Sequence, residues 1–229
     1  MHAGNMLTHS TEAPNLSLYQ QKINEIIDQH DPAWRLSLAD LLKATFQLAL
    51  ERSSVETAIN ENKLAIMAVN NYVNHKEVKA FLTPSNTKSV HKQYYPTFLY
   101  KRTDLAQHFM GSAAITASLN GEVAKVMGEE KELSDAQGGS GFSFIDLTAD
   151  KAGTKFGEMA ISSPENARKT QKIMADIKDY SEFMPDPRDL PEHMNEAQFK
   201  SKYQSLESPV YKELSKEIDQ RFTKIPLYQ

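Results

Sequence analysis

The chain has 229 residues and a formal net charge of −4, from 26 lysines and arginines against 30 aspartates and glutamates. This length is enough for one large domain or two small ones, and contents of 40% hydrophobic and 24% charged residues are typical of an ordinary globular protein. The lack of a basic excess argues against nucleic-acid binding, and the absence of cysteine excludes disulfides, thiolate metal sites and a cysteine nucleophile.

The sequence also limits the cellular location. No apolar run approaches the roughly 18–20 residues that a membrane-spanning helix needs, so we expect no transmembrane segment. The first residues lack a charged segment followed by an apolar one, so no signal peptide is evident, and without cysteine there is no lipobox. We expect a cytoplasmic protein, or a periplasmic one whose leader has been removed, and a disordered tail over residues 1–13.

The N-terminal part of the chain predicts three amphipathic helices, because apolar residues recur at spacings of three and four. In the first helix Leu16, Tyr19 and Ile23 share one face. Asp31-Pro32 ends this helix, since proline disfavours helical geometry in the residue before it. The predicted bounds are Leu16 to Gln29, about Pro32 or Ser37 to Arg52, and Ser53 or Ser54 to Val73, with a further short helix from Lys76 to Leu82.

Ser89 to Tyr100 is the only β-like stretch of the sequence, because it is rich in aromatic and β-branched residues. Pro96 lies within it, and proline confines a strand to the edge of a sheet. We therefore predict an extended connector that is packed by its aromatic side chains.

The central part, residues 104–160, predicts three consecutive helices. The middle of the first, Gly111 to Ala117, has small side chains that let a neighbouring helix come close. A glycine-rich loop, Gln137 to Phe142, separates the second helix from the third, and Ser143 with Asp146 has the spacing of a capping box. The predicted bounds are Asp104 to Ser118, Asn120 or Gly121 to Ala136, and Ser143 to Ala160.

The C-terminal part predicts further helices separated by prolines. Met184 to Pro191 contains three prolines and is predicted to form an ordered belt or a linker, and the apolar end, Ile225 to Tyr228, is expected to dock on the body. The sequence thus predicts an all-α fold, in which residues 14–229 form a single domain of eight or nine helices around a central three-helix unit. The C-terminal helices are Ser163 to Asp179, Asn195 to Tyr203 and Ser208 to Thr223.

Six polar residues of the central helices have the spacing of a metal site. Carboxylate–histidine sites in helical bundles place two ligands three or four residues apart on each helix. A divalent metal ion suits such ligands. The sequence therefore predicts a polar ligand- or metal-binding site between the helices, formed by the pairs Asp104 and His108, Glu132 and Asp135, and Asp146 and Asp150.

The same residues suggest acid–base chemistry. A pair of carboxylates can share the acid and base roles of hydrolysis. Glu132 or Asp150 would be the general base, with His108 beside them, and for a glycan Glu132 would be the acid. The ligand would be a small molecule or a glycan, in contact with Gly139, Ser140, Gly141 and Lys131.

Structural roles also account for these residues. Asp104 lies in the first turn of its helix, where the helix dipole favours an acid. Asp146 would complete the capping box, and Lys131 would pair with Asp135, as exposed residues four apart often do. The alternative to a binding site is a non-enzymatic structural or interaction protein, in which the polar cluster locks the helices together.

Three motifs of the centre are Asp104-Leu-Ala-Gln-His-Phe, Lys131-Glu132-Leu-Ser-Asp135 and Gly139-Ser-Gly-Phe-Ser-Phe-Ile-Asp146-Leu-Thr-Ala-Asp150-Lys-Ala-Gly153. Their order and local spacing resemble the core pattern of the YfiM-like bacterial lipoproteins. The resemblance covers about 50 of the 229 residues. The family has no established activity, and its lipoprotein members lie in the cell envelope. The resemblance implies a bacterial origin, a helical fold and a shared polar site at His108, Lys131, Glu132, Asp135, Asp146 and Asp150.

Overall fold

The computed structural model describes residues 12–74, 93–118 and 121–229 of the chain. This part contains nine α-helices and one two-stranded sheet, which confirms the predicted all-α fold class. The elements are α1 (Glu12–Gln29), β1 (Leu36–Ser37), α2 (Leu38–Arg52), α3 (Ala58–Val73), β2 (Thr97–Phe98), α4 (Thr103–Ser118), α5 (Gly121–Gly138), α6 (Phe144–Ile161), α7 (Pro164–Met174), α8 (Glu196–Tyr203) and α9 (Pro209–Arg221).

Helices α4 and α6 form the most extensive helix pair within the described residues, and α6 is buried along most of its length. The two backbones come close at Gly153, where a Cβ atom would lie 2.1 Å from the carbonyl oxygen of Phe109. One turn further on, a Cβ atom at Gly157 would lie 2.9 Å from the carbonyl oxygen of Ala113. The predicted close approach along the small-sided segment of α4 is therefore confirmed.

The remaining helices surround this pair. Helix α5 packs against both α4 and α6 and completes the predicted central three-helix unit, α3 packs on α4, and α7 packs on α2 and α6. A buried polar network joins the first three helices, because the Tyr19 hydroxyl donates a hydrogen bond to Glu61, which also pairs with Arg52 at 3.2 Å. The N-terminal helices thus form a layer that supports the central unit.

The first residue of α3 and the last residue of α7 differ from their predicted positions, because side chains cap other segments. Helix α3 begins at Ala58, since the Thr57 hydroxyl accepts a hydrogen bond from the Ser54 N–H and holds the preceding residues in a turn. Helix α7 ends at Met174 and not near Asp179, because Asp179 caps a following 3₁₀ turn in a reciprocal capping box.

The predicted connector is described from residue 93 onward, where it is extended. Strand β2 pairs in parallel with β1, a two-residue ladder that the sequence did not predict. Tyr100 and Lys101 then adopt positive φ angles of 49° and 63°. They form a tight turn whose ends, Leu99 and Arg102, exchange two backbone hydrogen bonds. This turn leads directly into helix α4.

The proline-rich segment Met184 to Pro191 is an ordered belt, which is one of the two forms predicted for it. The Tyr100 hydroxyl donates to the carbonyl oxygen of Met184 at 2.7 Å. The C-terminal end docks on the body as predicted, because the Tyr228 hydroxyl donates to the carbonyl oxygen of Phe183 at 2.6 Å.

Four predictions lie wholly or partly outside the described residues. They concern the tail up to residue 11, the short helix from Lys76 to Leu82, residues 89–92 of the connector, and Asn120 as a first residue of α5. Glu12 and Ala13, which were predicted to belong to the tail, are the first residues of α1. No helix of the described ranges is both long enough and apolar enough to cross a membrane.

Candidate functional site

Helices α4, α5 and α6 each contribute one side chain to a cluster of His108, Glu132 and Asp150. One ligand atom of each residue lies within 4.8 Å of the other two. Glu132 is fully buried, Asp150 is nearly so, and the His108 side chain is 13% exposed. Each of the three predicted pairs thus places one member in this cluster.

The imidazole of His108 is in direct contact with the carboxylate of Asp150, with 2.9 Å between Nδ1 and Oδ1. The hydroxyl of Ser112, one turn further along α4, donates to the same Oδ1 at 3.0 Å. These two contacts fix the orientation of the carboxylate, as neighbours of metal ligands commonly do.

Helix α5 comes close to Asp150 at Gly128. A Cβ atom at this position would lie 3.1 Å from Asp150 Oδ2 and 3.3 Å from its Cβ. Glycine therefore allows α5 to approach α6 one turn before Glu132, which enters the cluster from the same helix.

Glu132 also caps the next helix. Its Oε2 accepts a hydrogen bond from the N–H of Ser143 at 3.0 Å, and the Ser143 hydroxyl accepts one from the N–H of Asp146 at 3.0 Å. The predicted N-cap is confirmed, but Asp146 as the acid of a capping box is wrong, because Glu132 takes the Ser143 N–H. The Asp146 carboxylate is therefore directed into the polar site.

A second polar group adjoins the cluster and is centred on Arg102. Its guanidinium bonds to both carboxylate oxygens of Asp104, at 3.0 and 2.6 Å, and to Glu192 at 2.8 Å. It also lies 3.7 Å from Asp146 Oδ1. The other oxygen of Asp146, Oδ2, lies 3.5 Å from His108 Nε2, so Asp146 connects the two groups.

Arg102 and Glu192 are site residues that the sequence did not predict. Arg102 precedes the first residue of α4, and the left-handed turn that positions it has no glycine to mark it. Glu192 is 90 residues further along the chain. The feature of the sequence that could have indicated Arg102 is Asp104, an acidic residue two positions after it.

Asp104, Asp135 and Asp146, all predicted as metal ligands, lie outside the three-residue cluster, and Asp146 adjoins it through His108. Asp104 is held by Arg102, whereas Asp135 pairs with Lys131 at 2.9 Å on the exposed side of α5. A residue three positions after Glu132 is rotated by about 60° around the helix, which takes Asp135 towards solvent. The surface ion pair predicted as the structural alternative is confirmed.

The glycine-rich loop lies against the C-terminal segment. The N–H groups of Gly139 and Gly141 both donate to the carbonyl oxygen of Asp135, at 2.9 and 3.0 Å, so neither is free to bind a ligand. Gly141 has a φ of +89°, and a Cβ atom there would lie 2.7 Å from the His193 carbonyl carbon. Ser140 is exposed, with its carbonyl oxygen 3.2 Å from His193 Nδ1. The two glycines therefore shape the turn, and only the Ser140 side chain remains a candidate ligand contact in this loop.

Burial changes the protonation of the cluster. Burial, together with the charge of Asp146, raises the pKa of Glu132 to about 8. Burial lowers the pKa of His108, but the hydrogen bond to Asp150 and the charges of Asp150 and Asp146 outweigh it and raise the pKa to about 9. At neutral pH and without a bound cation, both groups hold a proton. Protonation thus reduces the negative charge that is buried in the cluster.

Asp104 and Asp146 have pKa values shifted in opposite directions. Burial would raise the pKa of Asp104, but hydrogen bonds with Arg102 and Asp146 lower it to about 2. Burial raises the pKa of Asp146 to about 7, with His108 acting against this shift and Asp104 adding to it. The two shifts differ in direction because the guanidinium of Arg102 pairs directly with Asp104 and lies further from Asp146.

Three carboxylate oxygens of the site are buried without a hydrogen-bond partner among the described residues, namely Glu132 Oε1, Asp146 Oδ1 and Asp150 Oδ2. An unpaired buried polar group costs roughly 1–3 kcal/mol, and more when it is charged. The oxygens of Glu132 and Asp150 belong to residues of the same cluster, where one cation would satisfy both.

No protein-family model matches the chain, and neither a curated protein nor a solved structure matches it. Its function is therefore inferred from the geometry and chemistry of the buried cluster. The resemblance to the YfiM-like lipoproteins stays a prediction.

Proposed function

We propose that the protein binds one divalent transition-metal ion through His108, Glu132 and Asp150. The observation that carries the proposal is the convergence of these side chains from three helices, with one ligand atom of each within 4.8 Å of the other two. The unpartnered oxygens of Glu132 and Asp150 support it, because one metal ion between them would compensate both.

The ligand set favours Mn²⁺, Fe²⁺ or Zn²⁺. One imidazole with two carboxylates suits these ions, whereas Mg²⁺ and Ca²⁺ prefer oxygen ligands alone. Neighbouring ligands of a tetrahedral ion, at about 2.0–2.2 Å each, are about 3.3–3.6 Å apart, so a cluster that spans up to 4.8 Å contracts by roughly 1.2–1.5 Å when it binds the ion. Neutralising the repulsion between the two carboxylates favours this contraction.

Three protein ligands leave a coordination position for water. A divalent ion such as Zn²⁺ lowers the pKa of bound water to about 7 and so supplies a nucleophile at neutral pH. Asp146, whose Oδ2 lies 3.5 Å from His108 Nε2, is the neighbouring carboxylate that would accept the proton of that water. Glu132 and Asp150, the general bases predicted from the sequence, would be ligands instead. Hydrolysis of a small molecule or a glycan is the reaction class that follows.

The motif resemblance supports the same assignment. His108, Glu132 and Asp150 all lie in the stretches that resemble the YfiM-like lipoproteins. On this proposal the protein is bacterial, and it acts in the cytoplasm or the periplasm.

One observation favours a structural role for the same residues. The 2.9 Å contact between His108 Nδ1 and Asp150 Oδ1 is an ion pair whenever His108 is protonated, and it would then lock α4 to α6. Metal ions compete with protons for such ligands, so a metal titration separates the two roles.

Thermal melting of the metal-stripped protein with Mn²⁺, Zn²⁺, Mg²⁺ or Ca²⁺ tests the proposal. An ion at about 100 times its Kd stabilises a protein by roughly 2.7 kcal/mol, and we expect Mn²⁺ or Zn²⁺ to do so. Asp150→Asn should remove this stabilisation. Asp135→Asn is the matched control and should retain it, because it removes a carboxylate that pairs with Lys131 on the surface.

Two results would contradict metal binding. The absence of stabilisation by any ion would leave the structural role, and equal losses in Asp150→Asn and Asp135→Asn would indicate non-specific binding to carboxylates. Hydrolysis is then tested with ester, phosphoester and glycan substrates, comparing the metal-loaded wild type with Asp146→Asn. Turnover that is unchanged in this variant would remove Asp146 from the reaction.

A further inference from the structure

A second candidate site lies on helix α7 and shares no residue with the metal cluster. It is a surface depression of about 630 Å³. Three of its six lining side chains are basic, one is acidic and two are apolar. The lining residues are Arg168, Lys169, Lys172, Glu165, Val55 and Ile173.

The three basic side chains of this depression form no ion pair with a side-chain carboxylate within the described ranges of the chain. Lys169 donates a hydrogen bond only to the main-chain oxygen of Gln229, and Lys172 is exposed. With Glu165 as its one acid, the depression carries a net charge of +2 on a chain whose formal net charge is −4. By contrast, four other arginines each pair with a carboxylate: Arg52, Arg102, Arg188 and Arg221.

Arg168 is held in position by neutral oxygens. Its Nη1 lies 3.0–3.3 Å from four acceptors, which are the carbonyl oxygens of Leu50 and Ser53, the Ser53 hydroxyl and Gln171 Oε1. Nη1 of Arg168 caps the C-terminal end of α2. No described residue accepts a hydrogen bond from its Nε or Nη2. The guanidinium is thus oriented in advance, with two nitrogens and its charge uncompensated.

We propose that this depression binds the phosphate group of a phosphate monoester. A guanidinium presents a fork of donors that matches phosphate oxygens, and lysine adds point charges. The net charge of +2 complements the charge of −1.5 to −2 that a phosphate monoester carries near pH 7. Val55, which is 51% exposed, and Ile173 would contact an apolar substituent of the ester.

Calorimetric titration with inorganic phosphate and with butyl phosphate, at constant ionic strength set by KCl, tests this site. We expect both to bind, and butyl phosphate to bind more tightly because its chain contacts the apolar wall. Lys172→Gln should weaken binding by about tenfold, since it removes one of three cations. Lys63→Gln, the same change at an exposed lysine of α3 outside the depression, is the matched control and should bind normally.

Further measurements distinguish a soluble phosphate ester from a lipid headgroup, and this depression from the metal cluster. Vesicles containing phosphatidic acid carry the same group on a lipid, so Lys172-dependent binding of vesicles without binding of butyl phosphate would assign the site to a lipid headgroup. Asp150→Asn should leave phosphate binding unchanged, which distinguishes this site from the metal cluster. Arg168→Lys keeps the charge, removes the fork and should weaken binding. If that variant does not fold, Lys172→Gln decides.

Two results would overturn the proposal. One is the absence of binding of all three probes. The other is an equal loss of affinity in Lys172→Gln and Lys63→Gln, which would show that the overall charge of the protein governs binding and not this depression.

Discussion

The N–H of Ser143, which caps helix α6, donates a hydrogen bond of 3.0 Å to Oε2 of Glu132 in helix α5. The same carboxylate has its other oxygen, Oε1, buried without a partner in the described structure, and Glu132 belongs to the cluster with His108 and Asp150. One side chain therefore caps a helix and contributes to the candidate metal site, and the two roles can be separated by substitution.

Glu132→Gln keeps an acceptor for the Ser143 N–H and removes the buried charge. We expect its free energy of unfolding to lie within about 1 kcal/mol of the wild type at pH 5 in the absence of metal, where the Glu132 carboxyl group is protonated in the fold. Glu132→Ala leaves the N–H unpaired and opens a cavity, and should cost roughly 2–4 kcal/mol. Urea denaturation measures both values. Equal stabilities of the two variants would show that the hydrogen bond does not contribute.

The stability of the metal-free protein should depend on pH through Glu132. The fold raises the pKa of this carboxyl group from 4.5 to about 8, so the folded state binds its proton more tightly than the unfolded chain does. Glu132 therefore destabilises the fold increasingly as pH rises from about 4.5 to 8. The variant Glu132→Gln has no ionisable group at this position, so it does not lose stability in this way. The variant should gain roughly 3–4 kcal/mol relative to wild type between pH 5 and pH 8.

Urea denaturation with a chelator at pH 5, 6.5 and 8 measures this gain. Ser134→Ala, which alters an exposed residue of the same helix that has no ionisable group, is the control and should show a pH-independent difference from wild type. A pH-independent difference for Glu132→Gln would mean that the Glu132 pKa is not raised.

The approach of α5 to Asp150 should control metal affinity. Gly128→Ala places a Cβ atom 3.1 Å from Asp150 Oδ2, so the carboxylate must move and the Kd for metal should rise by about tenfold. Gly138→Ala is the control in the same helix, because no atom lies within 4 Å of its Cβ position. Metal titrations of both variants provide the test. An unchanged Kd in Gly128→Ala would show that the position of Asp150 does not limit binding.

The packing of α4 on α6 should depend on Gly153. A Cβ atom there would lie 2.1 Å from the Phe109 carbonyl oxygen, so Gly153→Ala must separate the helices and should cost at least about 3 kcal/mol. At Gly111 the nearest atom would be Asn74 Nδ2 at 3.9 Å. Gly111→Ala should therefore stabilise α4 by up to about 1 kcal/mol, as alanine does in a helix. Melting temperatures that fall equally in both variants would contradict this account.

Features governed by local sequence were predicted well. The apolar periodicity of α2, the N-cap at Ser143 and the small-sided face of α4 all appear in the structure. Features that join distant segments were not predicted, such as the parallel pairing of β1 with β2 and the contact of Arg102 with Glu192. Their partners lie tens of residues apart, so no local spacing reports them.

The sequence by itself determined that the chain is helical, where most of its helices begin, and that three central helices carry pairs of carboxylate or histidine side chains three or four residues apart. Only the tertiary structure decided which member of each pair enters the cluster. Residues three or four apart share a face of a helix, but the rotation of that helix is set by its packing. The close approaches at Gly153 and Gly128 turn His108, Glu132 and Asp150 towards one point, and they leave Asp135 at the surface.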